Sequence, residues 1–138
     1  MDLDFSIERT ILRIGNQLLS RRSDDLKLYD LTPSQSETLL FFDRYAGARV
    51  LDLKAYLKIS HQAARNIVER MKEKDLLYVT VSGADARARE VYLSEKGQAI
   101  CRELKKKGGD VGSNLLSALT RAEKETLAKL LEKISQTL

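Results

Sequence analysis

Cysteine, histidine, proline and tryptophan are nearly absent from this sequence of 138 residues, which has one Cys, one His, one Pro and no Trp. A single cysteine, Cys101, excludes an intramolecular disulfide and is typical of a reducing compartment. One histidine, His61, and one cysteine cannot form the cluster that zinc requires. Catalysis needs convergent reactive groups, and we therefore predict that the chain is not an enzyme and has no cofactor or metal site.

Long apolar runs and a basic N-terminal segment are also missing. No apolar run approaches the roughly 20 residues that span a bilayer. The first ten residues, MDLDFSIERT, carry acids where a secretory signal has a basic region. We therefore expect a cytoplasmic protein without a membrane partner. A chain of this length is expected to fold as one domain and to bury roughly two thirds of its unfolded surface.

Positive charge is concentrated in the middle of the chain. Residues 1–57 hold 8 basic and 9 acidic side chains, residues 58–107 hold 12 and 7, and residues 108–138 hold 4 of each. The formal net charge of +4 therefore arises in the middle segment. This distribution is typical of a polyanion-binding surface on a neutral scaffold, while chance clustering on a solvated surface stays open at this point.

Two helices are predicted in the N-terminal third. Apolar residues recur at helical spacing from about Phe5 to Arg22, and the segment RRSDDLKLYD, residues 21–30, then breaks the pattern. A second helix is predicted to begin at Pro33, with Thr32 as its N-cap and Gln35 completing a capping box. These features concern architecture only.

Two further helices with a tight turn between them are predicted next. Asp52 is expected to cap a short helix, Leu53–Leu57, and Ser60 to cap a second helix from His61 to about Lys74. The second helix has an apolar face at i, i+3, i+4 and i+7, formed by Ala64, Ile67, Val68 and Met71. This arrangement indicates a helix-turn-helix, in which the second helix enters the major groove of DNA.

The opposite face of that second helix carries side chains that suit base edges. Arginine grips O6 and N7 of guanine with two donors, and Gln or Asn pairs with N6 and N7 of adenine. A polar face that only meets water is the simpler explanation, but the short helix and tight turn before it favour a nucleic-acid reader. The candidate contacts on this helix are His61, Gln62, Ala63, Arg65, Asn66 and Arg70.

A β-hairpin is predicted directly after this helix. The runs LLYVTVSG and REVYL alternate, with Val79 and Val81 on one face of the first strand and Val91 and Leu93 on one face of the second. A hairpin in this position is a wing, which would place an arginine in a narrow minor groove, where negative potential is concentrated. The charged candidate site residues around its Gly/Ala tip are Asp85, Arg87 and Arg89.

The segment from LTPSQSETLL to YLSEKG resembles the MarR-type family of winged helix-turn-helix transcription regulators. The most specific motif is Asp85-x-Arg87, followed by a strand and by the Leu-Ser-Glu-Lys-Gly helix start at residues 93–97. The resemblance implies a mainly α fold with a small β-hairpin wing (α+β), and one domain over residues 1–138. Within it, residues 1–30 and 95–138 would form dimerisation helices, and residues 31–94 the DNA-binding winged helix-turn-helix core.

The same resemblance implies a function. It predicts a sequence-specific transcription regulator, a repressor, that binds palindromic double-stranded operator DNA as a homodimer and is released by a small-molecule effector. Arg87 would enter the minor groove with Asp85 supporting it, and the helix from His61 would read the major groove. The alternative is a winged-helix protein–protein interaction module without specific DNA binding. The basic set Arg65, Arg70, Arg87 and Arg89 favours the DNA reader.

The C-terminal third departs from the family pattern in one place. The segment KKKGGDVGS, residues 105–113, has three glycines, each about 1 kcal/mol less favourable than alanine in a helix, so a bend or break is expected near Gly108 and Gly109. A last helix is predicted after a Thr120/Glu123 capping box, with an apolar stripe suited to a second subunit. Cys101 is expected to be a small buried side chain rather than a redox switch.

Overall fold

The computed structural model describes residues 2–82 and 85–138, with side chains described for residues 2–81 and 88–138. In these parts of the chain, six helices and one antiparallel hairpin are present, and this agrees with the predicted fold class. They are α1 Leu3–Leu28, α2 Pro33–Arg44, α3 Val50–Leu57, α4 His61–Glu73, β1 Leu77–Ser82, β2 Asp85–Leu93, α5 Glu95–Leu115 and α6 Arg121–Ser135. The chain divides into two compact units, Met1–Arg102 and Glu103–Leu138.

Helix α1 is longer than the sequence predicts. The expected break over residues 21–30 is wrong, since α1 continues to Leu28. Arg and Lys are good helix formers, and the extra turns bury Leu26. The helix ends where Asp30 adopts a left-handed φ of 55°. The N–H groups of Asp30 and Leu31 then donate to the carbonyls of Lys27 and Leu26, at 3.2 and 3.0 Å, which is a Schellman motif.

The starts of α2 and α3 differ in how well the sequence predicted them. The Thr32 hydroxyl accepts the Gln35 N–H at 3.1 Å, and the Gln35 side chain accepts the Thr32 N–H at 3.2 Å, so the predicted capping box is confirmed. Helix α3 instead begins at Val50, three residues earlier than expected. Asp52 is therefore not the N-cap. It lies inside the first turn, where its carboxylate accepts the Arg49 N–H at 2.8 Å.

The core of the first unit is built from α2, α3, α4 and the hairpin. Leu39, Leu53 and Met71 are fully buried, and Phe42 is 1% exposed. Burying a side chain of this size contributes roughly 1.5–3 kcal/mol. Cys101 is also buried, at 1% exposure, and this agrees with its predicted role as a packed side chain. The core thus fixes the inner face of α4 and leaves its outer face to solvent.

The hairpin is anchored at its base to the loop between α2 and α3. Val79 lies opposite Val91 in the register, and Thr80 lies opposite Glu90. The Gly47 N–H donates to the Val91 carbonyl at 2.9 Å, and the Val91 N–H donates to the Ala48 carbonyl at 2.9 Å. The register shifts after Val81, so that Ser82 pairs with Asp85. Strand β2 therefore begins at Asp85, earlier than the predicted run REVYL.

Helix α5 starts at a close contact with the residues that connect α4 to β1. The Ser94 hydroxyl accepts the Gly97 N–H at 3.0 Å and donates to the Asp75 carbonyl at 2.6 Å. A Cβ at Gly97 would overlap the Leu76 carbonyl oxygen, so glycine is needed for this approach. Two residues of the Leu-Ser-Glu-Lys-Gly motif are thus explained, Ser94 as the helix cap and Gly97 by a space that admits no side chain.

The expected break in α5 is wrong. The helix is uninterrupted from Glu95 to Leu115, through Gly108 and Gly109. Helix propagation adds one hydrogen bond for each residue ordered, so a long helix tolerates the unfavourable glycines. In the second unit, the Thr120/Glu123 capping box of α6 is confirmed, with the Thr120 N–H donating to Glu123 at 2.9 Å. Among the described helices, none has the length and apolarity to cross a membrane.

Candidate nucleic-acid interface

The turn between α3 and α4 has the geometry that the sequence predicts. Lys58 ends α3 in the left-handed region, with φ 56°. The Ile59 N–H donates to the Lys54 carbonyl at 3.3 Å, and the Ser60 hydroxyl accepts the Ala63 N–H at 3.0 Å. The predicted N-cap at Ser60 is therefore confirmed. The tight turn fixes α4 against α3 and determines which face of α4 is outside.

The candidate residues of α4 are mostly on its exposed side. Ala64, Val68 and Met71 point into the core, with exposures of 0, 2 and 0%. Ala63 is only half-buried, and the other candidates are exposed: His61, Gln62, Arg65, Asn66 and Arg70. The exposed side chains form two adjacent stripes, because residues three and four apart are neighbours on a helix. The first stripe holds His61 and Arg65, and the second holds Gln62, Asn66 and Arg70.

The first stripe faces the hairpin across a groove of about 380 Å³. Four basic side chains line this groove with one acid among the described lining residues, so its net charge is positive. Lys72 lies 3.3 Å from that acid, Glu69. We call this surface the basic groove; its charged and imidazole side chains are those of Arg49, His61, Arg65, Glu69, Lys72 and Arg89. A groove of this charge attracts a polyanion.

The second stripe is formed by two amides and one arginine. Gln62, Asn66 and Arg70 are spaced four residues apart along α4. The Gln62 side-chain amide donates to the Asn66 side-chain oxygen at 2.9 Å. None of these three residues is among the described residues that line the basic groove. The outer face of α4 therefore presents the basic groove on one side, and a hydrogen-bonded pair of amides followed by Arg70 on the other.

The two faces of the hairpin are chemically different. Val79, Arg89 and Val91 line the basic groove, and Arg89 is exposed. The rings of Tyr78 and Tyr92 stack on the other face, with centroids 5.5 Å apart. The Tyr92 hydroxyl donates to the Glu90 carboxylate at 2.7 Å, and this hydrogen bond raises the pKa of Tyr92 above its usual value. The predicted alternation of the strands is therefore confirmed.

The predicted acid–arginine pair at the tip is placed only in part. Asp85 begins β2, and its backbone pairs with Ser82. Arg87 lies on the same strand, two residues before Arg89. The side chains of Asp85 and Arg87 lie outside the described residues. The expected hydrogen bond between Asp85 and Arg87 and the contact of Arg87 with the DNA minor groove therefore remain predictions.

Two basic residues of the groove were not candidates from the sequence. Arg49 precedes α3 and Lys72 lies in the last turns of α4, yet both face the hairpin. A basic residue directly before the first helix of a helix-turn-helix is a local signal that could have marked Arg49. Its distance from Arg89 is a tertiary property, because 40 residues of sequence separate the two positions.

Comparison with known proteins agrees with this geometry. The MarR family model matches residues 29–88. A mutant MarR from E. coli, solved with operator DNA, is 26% identical, with 97% of this chain and 99% of that chain covered and a TM-score of 0.78. The transcriptional regulator SlyA is 21% identical, with 95 and 92% covered and a TM-score of 0.85. MepR from S. aureus, solved with DNA, is 19% identical, with 99% of each chain covered and a TM-score of 0.83.

The resemblance seen in the sequence is therefore confirmed: the MarR family model matches residues 29–88, and the chain is similar over nearly its whole length to the solved MarR structure. The fold of the chain is that of the winged helix DNA-binding transcription regulators of this family.

Proposed function

We propose that this chain is a sequence-specific, double-stranded DNA-binding transcription regulator that acts as a homodimer on palindromic operators. The observation that carries the proposal is the basic groove between α4 and the hairpin, beside an α4 face rich in hydrogen-bonding side chains. Duplex DNA offers both things that this surface is suited to bind, a charged backbone and base edges. Two relatives with the same fold were solved bound to DNA, and this supports the assignment.

In the proposed complex, α4 lies in the major groove and the hairpin follows the backbone to the adjacent minor groove. The α4 contacts are His61, Gln62, Ala63, Arg65, Asn66 and Arg70, and Ala63 contributes least because it is half-buried. Arg87 enters the minor groove, Asp85 orients it, and Arg89 contacts phosphates from the wall of the basic groove. Phosphate contacts fix the register of a protein on DNA, and base contacts give the sequence preference.

The proposed homodimer is supported by apolar side chains that each terminal helix leaves uncovered. On α1, Leu3, Phe5, Ile7, Ile11, Leu12, Ile14, Leu19 and Leu28 are 38–74% exposed. On α6, Leu130, Leu131 and Ile134 are 52, 45 and 44% exposed. Apolar surfaces of this extent are typical of protein interfaces. We assign a second copy of the chain to them, through the segments 1–30 and 95–138. Two copies would present two α4 helices to half-sites about 34 Å apart.

We extend the proposal to repression and to release by a small-molecule effector. Both rest on the resemblance to the family, and no residue of this chain is assigned to an effector. Repression has a direct test, because loss of the gene should raise transcription from promoters that carry the selected operator. A fall in that transcription would assign activation instead.

The test of the main proposal is selection of preferred DNA from a random pool, followed by affinity titration and measurement of the mass of the free and bound protein. We expect a palindromic site bound by a dimer. We also expect affinity to fall steeply with salt between about 50 and 200 mM, because neutralised phosphates release counterions. A monomer in solution, or affinity that does not change with salt, would instead favour a winged-helix protein–protein interaction module.

A further inference from the structure

We infer that Gln62 and Asn66 act as one unit that recognises adenine, with Gln62 accepting from N6 and Asn66 donating to N7. This inference rests on the proposed function and names the base that the amide stripe of α4 selects. The observation that carries it is the 2.9 Å hydrogen bond from Gln62 Nε2 to Asn66 Oδ1, between two exposed side chains one turn apart.

The polarity of this hydrogen bond decides what the pair offers to a base. An amide has one carbonyl acceptor and two N–H donors. Since Asn66 Oδ1 is already bonded to Gln62, the outward groups of Asn66 are the N–H donors of Nδ2. Gln62 Oε1 is the acceptor that the intrahelical bond leaves unused. The pair therefore presents an acceptor on one residue and a donor on its neighbour.

The base edges in the major groove respond differently to this combination. Adenine presents the N6 donor beside the N7 acceptor and complements the pair. Guanine presents two acceptors, O6 and N7, so Gln62 Oε1 would face a second acceptor without a proton between them. Thymine offers one acceptor and a methyl group, and cytosine offers one donor. Among single bases, adenine is therefore the one that satisfies both amides at once.

The hydrogen bond also lowers the cost of binding. A free glutamine side chain loses rotamer freedom when it contacts a base, and preorganised groups lose less. The i,i+4 bond holds both amides on the surface of α4 before DNA arrives. Breaking the bond would release both side chains, so the two residues should contribute to recognition jointly and not independently.

The experiment compares the wild-type chain with Gln62→Ala, Asn66→Ala and the double variant. Each is titrated against the selected operator and against operators in which single A·T pairs are replaced by G·C. For the wild type, we expect one A·T pair in each half-site whose replacement weakens binding about tenfold or more. Both single variants should lose this preference at the same base pair, to within about twofold, and the double variant should resemble either single one.

Two further variants distinguish an effect on base recognition from an effect on the stability of α4. Asn66→Asp keeps an acceptor for Gln62 Nε2 but has no donor for N7, so it should also lose the adenine preference. Its preference ratio is the readout, because the added negative charge weakens binding to every sequence. Glu73→Ala changes an exposed residue at the end of the same helix and should leave the ratio unchanged. Unfolding midpoints are measured for all variants.

The possible results are distinct. Loss of preference at two different base pairs, or losses whose logarithms add, would overturn the joint unit while DNA binding stands. An adenine preference that is unchanged in both alanine variants would also overturn the joint unit while DNA binding stands. A wild-type chain that binds no DNA, or binds every sequence equally, would overturn the proposed sequence-specific function and this inference together.

Discussion

Lys74, directly after α4, donates a hydrogen bond of 3.0 Å to the side-chain oxygen of Gln35 in the first turn of α2. The same Gln35 oxygen closes the capping box of α2 by accepting the Thr32 N–H. Lys74 Nζ also contacts the Asp30 carbonyl oxygen and lies 3.6 Å from the Asp30 carboxylate. One ammonium group therefore joins the end of α1, the start of α2 and the end of the proposed reading helix.

Replacing Lys74 with Met should destabilise the fold. The side chain is 29% exposed, so its contacts are partly screened by water, and we expect the free energy of unfolding to fall by about 1–2 kcal/mol. Denaturant titration measures this value. Lys72→Met is the matched control, because Lys72 pairs with a well-exposed Glu69 on its own helix, and the expected loss is at most about 0.5 kcal/mol. Equal losses in the two variants would contradict the joining role of Lys74.

Replacing two glycines of α5 with alanine should change the stability of the protein in opposite directions. Gly97→Ala places a methyl group against the Leu76 carbonyl oxygen, and we expect a loss of about 1–3 kcal/mol. Gly109→Ala adds a methyl group that meets no atom of the described residues within 4 Å beyond its own stretch of helix, and it should stabilise the protein by about 0.5–1 kcal/mol. Thermal unfolding of both variants checks the pair. A stabilising Gly97→Ala would show that the contact with Leu76 relaxes freely.

Arg89→Ala should weaken DNA binding to about the same extent for all sequences. Arg89 is exposed and lines the basic groove, so the proposed contact is with phosphates, and the slope of log affinity against log salt should decrease by about 1. The unfolding midpoint should stay close to that of the wild type. Arg121→Ala is the control, since Arg121 is a well-exposed arginine of α6 paired with Glu125. A loss confined to particular base substitutions would instead assign base reading to Arg89.

Arg87→Ala tests the contact that the family resemblance implies. We expect weaker DNA binding with little loss of fold stability, because an arginine in the minor groove interacts with the DNA and not with the core. Comparing operators with A-tract and mixed flanks gives the readout, since the narrow groove of an A-tract attracts arginine most strongly. Unchanged affinity for both operators would count decisively against this contact.

Glu123 should make α6 sensitive to acid. Its carboxylate accepts the Thr120 N–H, and this hydrogen bond holds the pKa of Glu123 below the ordinary value of 4.5. Because the folded pKa is the lower one, the stabilising effect is present above about pH 4.5 and is lost as the pH falls through the folded value. Glu123→Gln retains an acceptor for the cap and should remove this part of the acid sensitivity. Unfolding midpoints between neutral pH and about pH 3 provide the comparison, with Glu132→Gln on the same helix as control.

The features that the sequence predicted well are those determined by neighbours in the chain. The caps at Thr32, Ser60 and Thr120 each depend on a side chain and an N–H three residues later, so four letters suffice to indicate them. The alternation of the hairpin is equally local. The errors occurred where a local signal competes with the rest of a helix, as for the charged end of α1 and the glycines of α5.

Prediction of the basic groove would have required contacts between positions far apart in the chain, which the local sequence does not indicate. Arg49 and Arg89 line one surface because the loop before α3 pairs with β2, and this pairing joins positions far apart in the chain. Lys74 reaches Gln35 across 39 residues. The Gln62–Asn66 spacing is visible in the sequence, whereas the direction of its hydrogen bond follows from the side-chain orientations in the structure.

The hydrogen bonds between Val91 and the loop at Gly47 and Ala48 restrict where the hairpin can bend. They give the part of β2 around Val91 a hydrogen-bonded neighbour on both edges, so we expect any bending of the hairpin to begin beyond Val91, towards the shift in register after Val81. In the proposed complex, adjustment to DNA minor grooves of different width would then be confined to the residue pairs beyond Val91. The part of β2 below Val91 would keep a constant angle to α4. A substitution that breaks the hydrogen bonds between Val91 and this loop would let the whole hairpin move relative to α4, and its orientation would be less well defined.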